Sequence, residues 1–509
     1  MSEIMSPQLD YGKYTYNHPT YQHTQVPPQN GLQTVTIPAS GGTEVIFELP
    51  VQCYNLAKSY LTFTATPQAG TNANYAFIDG MCFIRQIQLY TRTGLYIADI
   101  YDLGNYMNMT LRRETKLEDM LTWDKAQNQR LTPGAASVNP YGFFEGLSAS
   151  NSTTTYAIPA LSIRPDQGYP VAAGATTGAS TINTNYLEPS YILQGTSATA
   201  DPVITVQMPL GRILYSIFAY DKDIFFNQIM YVRIVFNPTN KIYFNNVVQY
   251  PNVIATNAPF TGTVAITNLL MYLAVEQNKN IEKMIIDKMN SSGIELLVPF
   301  IYQNKLSLVG SQQNCTTRYN RGHGSRLLKV FWAPYASAES GAECYDHSNL
   351  YVSPYQNNGA AWVQLLPGFS KLSSFYTMFN NVRRTQFDMS SPLLTYMVKS
   401  LRDKGSCIGS VNEWLYNFVW VEDFTGEDPK YAKPLEPSEQ NHIDGLPLDT
   451  EQKFDIFTQI QTGSTVSNAT VLYFIDNFAN SPSTSGLNHY IYGICQRNLI
   501  IKPAEVQFY

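Results

Sequence analysis

One plan of elements is written twice along this chain, and that repeat limits the fold more than any single motif. In the first half, Phe83–Thr91 and Gly94–Ile100 flank Arg92-Thr93-Gly94 and read as a β-hairpin. A helix follows within Tyr101–Leu111, where Leu103, Tyr106 and Met107 fall at i, i+3 and i+4. In the second half, Phe375–Phe379 and Val382–Phe387 flank Asn380-Asn381, and a helix is expected over Pro392–Leu401, within Ser391–Leu401. Each half then closes on strong strand patterns. Met230–Asn237 followed by Leu269–Asn278 is echoed by Val471–Asn477 followed by Tyr490–Ile501. Similar order with unequal loops predicts two units of one architecture.

Further strands fill in the plan. Leu32–Ile37 and Thr43–Leu49 alternate around Gly41-Gly42, and Ser59–Ala65, Val203–Met208, Ile229–Phe236 and Val264–Val275 are β-rich. The second half adds Ile294–Tyr302, Arg326–Trp332 after an Arg321–Gly324 turn, Trp414–Val421, Phe454–Gln461, Thr470–Ile475 and His489–Ile501. Leu117–Trp123 adds a helix-like stretch. Between the halves, Ile281, Met284, Ile285 and Lys288 share a face of a helix over Asn278–Asn290, ended by Ser291-Ser292-Gly293. The expected organisation is an N-terminal arm over 1–30, a first β-sandwich over 31–277 with a long insertion at about 131–200, a connector helix over 278–292, and a second sandwich over 293–509. The fold class is all-β with short accessory helices.

Composition says where such surfaces go. Only 14% of residues are charged, against roughly 25% in an ordinary soluble domain. The chain carries 36 Tyr and 25 Phe. Few charges and many aromatics suit surface that ends up inside an assembly. Net charge is −6 with no basic stripe, which argues against a direct nucleic-acid binder. Met1–Asn30 has Lys13 as its only Lys or Arg, so it reads neither as a genome-binding arm nor as an ordinary secretory signal. No run of 18 or more apolar residues occurs. Cys53, Cys82, Cys315, Cys344, Cys407 and Cys495 are scattered without CxxC, and read mostly as buried free thiols of a reducing compartment.

Candidate chemistry is sparse. His18, His23, His323, His347, His442 and His489 form no HxH or HExxH, and no metal site is expected. Acid pairs stand at Glu118-Asp119, Glu422-Asp423 and Glu114 with Glu118. Glu422-Asp423 follows Trp414, Tyr416 and Trp420, which could mimic a sugar platform; the plainer reading is a core strand ending in a solvated turn. Gly322-His323-Gly324 and Gly41-Gly42 lack the residues of a phosphate loop and read as turns. Arg383-Arg384, Arg112-Arg113 and Lys329 are local positive spots, expected to make surface or intersubunit ion pairs. No Gly-x-Ser-x-Gly elbow occurs, so no catalytic, cofactor-binding or metal-binding residue is assigned.

Pro209-Leu210-Gly211-Arg212-Ile213-Leu214 leading into Met230–Phe236, the helix around Tyr106, and the strand Tyr490–Ile501 carry a likeness. Over roughly residues 31 to 505 the chain resembles the double jelly-roll major capsid proteins of icosahedral double-stranded DNA viruses, most of all those of Sputnik-type virophages. The resemblance implies two tandem eight-stranded jelly rolls. It implies a homotrimer with a pseudo-sixfold outline, capsomer–capsomer contacts, and partners among minor capsid and penton proteins. It implies a place in the virion after synthesis in the host cytoplasm, with no enzyme activity, no cofactor and no direct sequence-specific nucleic-acid binding. An internal membrane beneath the shell is compatible with it. Two other readings stand beside it. One is a carbohydrate-binding or carbohydrate-active β-sandwich. The other is a spike or penton protein with a single jelly roll, which the repeat and the connector oppose.

Overall fold

A computed structural model of the chain describes residues 19–31, 33–68, 75–77, 83–114, 129–131, 149–151, 154–156, 204–245, 258–259, 262–308, 314–336, 351–352, 355–357, 362–364, 369–370, 372–383, 419–424, 446–448, 454–460, 487–503 and 505–509. Alternation makes the strands. Tyr60 to Thr66 read partly exposed, buried, partly exposed in strict turn, with Leu61, Phe63 and Ala65 inward. Phe63 meets Phe83 and Phe236 edge-on at 5.3 and 6.0 Å, which fixes the middle of the first core.

The first sandwich uses β1 (Tyr21–Val26), β2 (Val35–Ile37), β3 (Glu44–Leu49), β4 (Cys53–Gln68), β5 (Ile84–Thr91), β6 (Tyr96–Tyr101), α1 (Leu103–Glu114), β7 (Ile204–Pro209), β8 (Met230–Phe236) and β9 (Thr263–Glu276). One sheet runs β1 and β2 side by side on β9, then β4, then β7; the other runs β3–β8–β5–β6. Every pairing named here is antiparallel. The chain therefore crosses repeatedly between facing sheets, as two Greek keys require.

After α2 (Lys279–Ser292) the second sandwich uses β10 (Ile294–Leu308), β11 (Asn314–Tyr319), β12 (Arg326–Ala336), β13 (Leu372–Phe379), β14 (Val382–Arg383), β15 (Trp420–Asp423), β16 (Phe454–Ile460), β17 (Leu487–Lys502) and β18 (Glu505–Phe508). One sheet runs β10–β17–β12–β15, with β18 extending β17; the other runs β11–β16–β13–β14. Strand for strand, this is the order of the first sandwich. The β13–β14 hairpin turns at Asn380-Asn381, with φ of 49° and 64°, the left-handed region that Asn tolerates best after Gly. α2 is capped by the Asn278 side chain, which accepts from Asn280 N at 3.0 Å, and stops at Gly293 with φ of 76°. Of its apolar residues Met289 is buried, whereas Met284 is 63% exposed.

Two expectations change. The arm expected over 1–30 is in part a strand: Tyr21–Val26 pairs with Glu276–Met271 of β9. Its residues are exposed on both faces except Val26 at its end and Tyr21 in part, so no apolar alternation could announce it. Pro27-Pro28 and the turn at Gln29–Gly31 separate it from β2, which takes the other end of β9. Residues 1–18 lie outside the described ones. In the second sandwich, the place that Met230–Phe236 holds in the first is taken by Phe454–Ile460. Val471–Asn477, the expected echo, lies outside the described residues, as do Pro392–Leu401 and Leu117–Trp123. Of 131–200, only short pairings at 129–131, 149–151 and 154–156 are described, within the connection between β6 and β7.

Candidate assembly surface

The two sandwiches meet along a seam, and the end of β6 builds one side of it. Asp102 turns the chain from β6 into α1 with φ of 48°. That turn aims two carbonyls at the second sandwich: Tyr492 Oη donates to Tyr101 O and Asp102 O at 3.4 and 3.3 Å. Gln303 Nε2 donates to Asp102 Oδ2 at 2.8 Å and to Tyr492 Oη at 3.3 Å. The Tyr106 ring stands edge-on to Tyr492 at 5.1 Å, and its hydroxyl donates to Leu214 O at 2.6 Å.

Tyr215, next along, has φ of 54°, unusual for a bulky residue. It places its ring 5.8 Å from Phe331 and its hydroxyl 3.1 Å from Lys329 Nζ. Lys329, expected at a surface, is 2% exposed and pairs with Asp423 at 3.1 Å. The seam covers it, because Tyr215 lies over its ammonium with the ring centroid 5.2 Å away. At the far end, Asn227 Nδ2 donates to Lys502 O at 2.6 Å and also to Pro503 O. Both left-handed residues of the first sandwich nearest the seam thus serve contact with the second, where local strain is held by packing.

The remaining candidate chemistry disperses. Asp423 holds Lys329, while Glu422 accepts from Trp420 Nε1 at 3.1 Å. As strand neighbours the two carboxylates face opposite sides, so they do not form a pair across a cleft. Trp414 and Tyr416 lie outside the described residues. His489 is fully buried; Trp332 Nε1 donates to its Nδ1 at 3.2 Å, and burial pushes its pKa down to about 3. It is a neutral core histidine. His23 Nε2 lies 3.1 Å from Lys58 O, with its ring 5.3 Å from that of Tyr60. Cys53 and Cys495 are buried free thiols; burial, with the Asp223 and Glu276 carboxylates behind it, pushes Cys53 up to about 12. Arg383 lies over the Tyr376 ring at 4.2 Å. Among the described residues, no group of three or more His, Cys, Asp or Glu could hold a metal ion. Among the same residues, no helix is long and apolar enough to cross a membrane.

One carboxyl pair escaped sequence reasoning. Asp223 accepts from Tyr21 Oη at 2.8 Å and lies within reach of the Glu276 carboxylate. Glu276 is 2% exposed; its Oε1 accepts from Thr20 N and Asn278 N at 2.9 and 2.7 Å, and its Oε2 has no ordinary hydrogen-bond donor. Burial, seconded by the Glu276 charge and opposed by the Tyr21 hydroxyl, pushes the Asp223 carboxyl above the usual carboxylate range. The residues are 53 apart in sequence, so spacing gave no hint of them.

The Faustovirus major capsid protein matches this architecture with a TM-score of 0.50 at 9% identity, covering 95% of this chain and 91% of that one. The fold is a double jelly roll. The mavirus major capsid protein is similar at a TM-score of 0.46 and 10% identity, covering 96% of this chain and 90% of that one. A chain of the Sputnik virophage structure is similar at 0.44 and 12%, covering 97% and 90%. No family model matches the sequence, and no curated protein does. The double jelly roll therefore rests on strand order: each half places eight corresponding strand positions, four to a sheet and in the same order, in two sheets of its own.

Proposed function

We propose that this chain is a viral major capsid protein that assembles as a homotrimer with a pseudo-hexagonal outline into an icosahedral shell. The observation that carries the reading is the tandem of two complete jelly rolls of one strand order, joined through a buried polar and aromatic seam. A chain holding two similar barrels fills six positions of a ring with three copies. The low charge and high aromatic content fit the large, apolar interfaces of permanent assemblies, which bury roughly 2,000–5,000 Å². The working domain limits are a first barrel starting near residue 21, the connector 278–292, and a second barrel over 293–509. The role is structural, the site of action is the virion after synthesis in the host cytoplasm, and minor capsid and penton proteins are the further partners.

Hydrodynamic mass with negative-stain imaging tests this. Hexagonal trimers support it. Monomers with measurable sugar affinity favour the carbohydrate-binding sandwich instead.

A further inference from the structure

Glu276 ends β9, and its carboxylate fastens two other parts of the chain. Oε1 accepts from Thr20 N, where the chain enters β1, and from Asn278 N, the residue that caps α2. Gln277 N donates to Thr20 O at 2.7 Å and closes the joint from the other side. Oε2 is buried and has no donor. Within its reach stands the Asp223 carboxyl, whose Oδ1 already accepts from Tyr21 Oη. Two acceptors meet there, and the contact becomes a hydrogen bond when one of them carries a proton.

The charged groups around the pair are committed elsewhere. On β1, burial and the bond to Asp223 push the Tyr21 hydroxyl far up, so it stays a donor. On β4, Lys58 Nζ pairs with Asp221 Oδ1 at 2.7 Å and lies over the Tyr21 ring at 4.7 Å, while Asn55 Nδ2 donates to Asp221 at 2.9 Å. Cys53, pushed up to about 12 by burial, stays a neutral thiol. The Lys222 charge favours the Asp221 carboxylate. On α2, Lys279 pairs with Glu282 at 2.6 Å.

With Asp223 protonated on Oδ2, all four carboxyl oxygens are satisfied. Oδ2–H donates to Glu276 Oε2, Tyr21 Oη to Oδ1, and two backbone N–H groups to Oε1. Without that proton, two carboxylates face each other out of water, and hydration is the relief. Thr20 and Tyr21 are the cover that must lift to admit it. Residues 22–25 of β1 are exposed and Val26 is the next buried one, so the start of the strand can open while its end stays paired.

We propose that Asp223 and Glu276 share one proton that latches the start of β1 to the N-terminus of α2, so that acid closes this joint and rising pH opens it. The sign follows from the burial that holds the Asp223 carboxyl above 3.8: the latch is full below that value and is lost as pH rises through the raised one. Acid thereby firms the entry to the first barrel at Thr20 and its exit at Asn278 together. The joint lies within one chain and does not depend on the assembly reading.

Amide exchange of the full chain tests this from about pH 4 to about pH 8, with protection factors corrected for the intrinsic rate. A chelator keeps divalent cations from standing in for the proton. The expected result is protection at the Thr20, Gln277 and Asn278 amides that falls at least about tenfold across the range, while Leu61–Ala65 of β4 stay unchanged. Asp223→Asn and Glu276→Gln each replace the shared proton with a permanent N–H donor, so protection at the three amides should stay high and flat. Wild-type protection that does not fall overturns the latch, and so does an equal fall in either folded variant. If neither variant folds, the wild-type comparison of these amides with β4 decides alone.

Discussion

Gln25, Lys58, Tyr60 and Tyr272 in the first barrel occupy the places of Gln303, Lys329, Phe331 and Tyr492 in the second by strand register, yet the two sets live in different media. Gln25 and Lys58 are exposed with Tyr60 and Tyr272 half-buried, whereas Lys329, Phe331 and Tyr492 are buried and Gln303 is half-buried. The lysines show what that changes. Lys58 pairs with Asp221 at 2.7 Å, with 44% of each side chain exposed. Lys329 pairs with Asp423 at 3.1 Å, with 3% and 18% exposed. The barrels also fill one core position in opposite ways. Leu49 of β3 and Tyr319 of β11 end their strands at equivalent register, and Leu273 and Gly493 follow Tyr272 and Tyr492. Where the first barrel places two leucines, the second places a large ring beside a glycine. A Cβ on Gly493 would fall 2.1 Å from the Tyr319 ring.

The largest break in this comparison is expected at the buried lysine. Lys329→Ala leaves Asp423 and the Tyr215 hydroxyl without their cation, and should cost about 3–5 kcal/mol. Lys58→Ala, in the open counterpart, should cost less than about 1 kcal/mol. Denaturant melts of the two variants check both; equal losses would mean that the seam does not bury the lysine in solution.

Next comes the exchanged core pair. Gly493→Ala should destabilise by about 1–3 kcal/mol through overpacking. Tyr319→Leu combined with Gly493→Ala should recover part of that loss, because it moves the second barrel toward the first. A double variant less stable than the sum of the singles would remove the compensation.

The smallest effect concerns the carboxyl pair that ties β1 to β9. Asp223 has a folded pKa above its unfolded value of 3.8. Its protonated form is the one the fold favours, so its contribution is full below 3.8 and is lost as pH rises through the raised pKa. At neutral pH the pair is therefore a source of strain. Asp223→Asn removes one charge while keeping an acceptor for Tyr21, and adds a donor for Glu276 Oε2. Its melting temperature should exceed the wild type's at pH 7, and the gain should shrink as pH falls toward 4. A gain unchanged at pH 4 would show that charge is not the cause.

Much of the architecture was legible because alternation is a direct record of burial. Runs such as Met230–Phe236 and Thr263–Glu276 face a core on one side and announce it. Tyr21–Val26 was missed because an edge strand exposed on both faces has no such record, and Asn314–Tyr319 because its run of polar residues hides the pattern. The repeat was legible as order but not as register: Phe454–Ile460 and not Val471–Asn477 holds the place beside β13. The seam was not legible at all. Its contacts join residues such as Asp102 and Tyr492, 390 positions apart, and Lys329 looks in sequence like any surface lysine.

The strand β17 carries a consequence for timing. It lies between β10 and β12 and pairs with both, so the second barrel has no central strand until residues 487–502 have been made. The first barrel is complete at Glu276, which is 226 residues before Lys502. At ribosomal speeds of about 5–20 residues per second, that interval lasts roughly 10–45 s. For nearly all of it, Tyr106 has no Tyr492 to meet, and Lys329, though already made, has no β17 beside its strand to hold it under Tyr215. The nascent chain thus withholds its own joint until nearly all of it has been translated, and a neighbour's completed second barrel is a competitor for those side chains in the meantime.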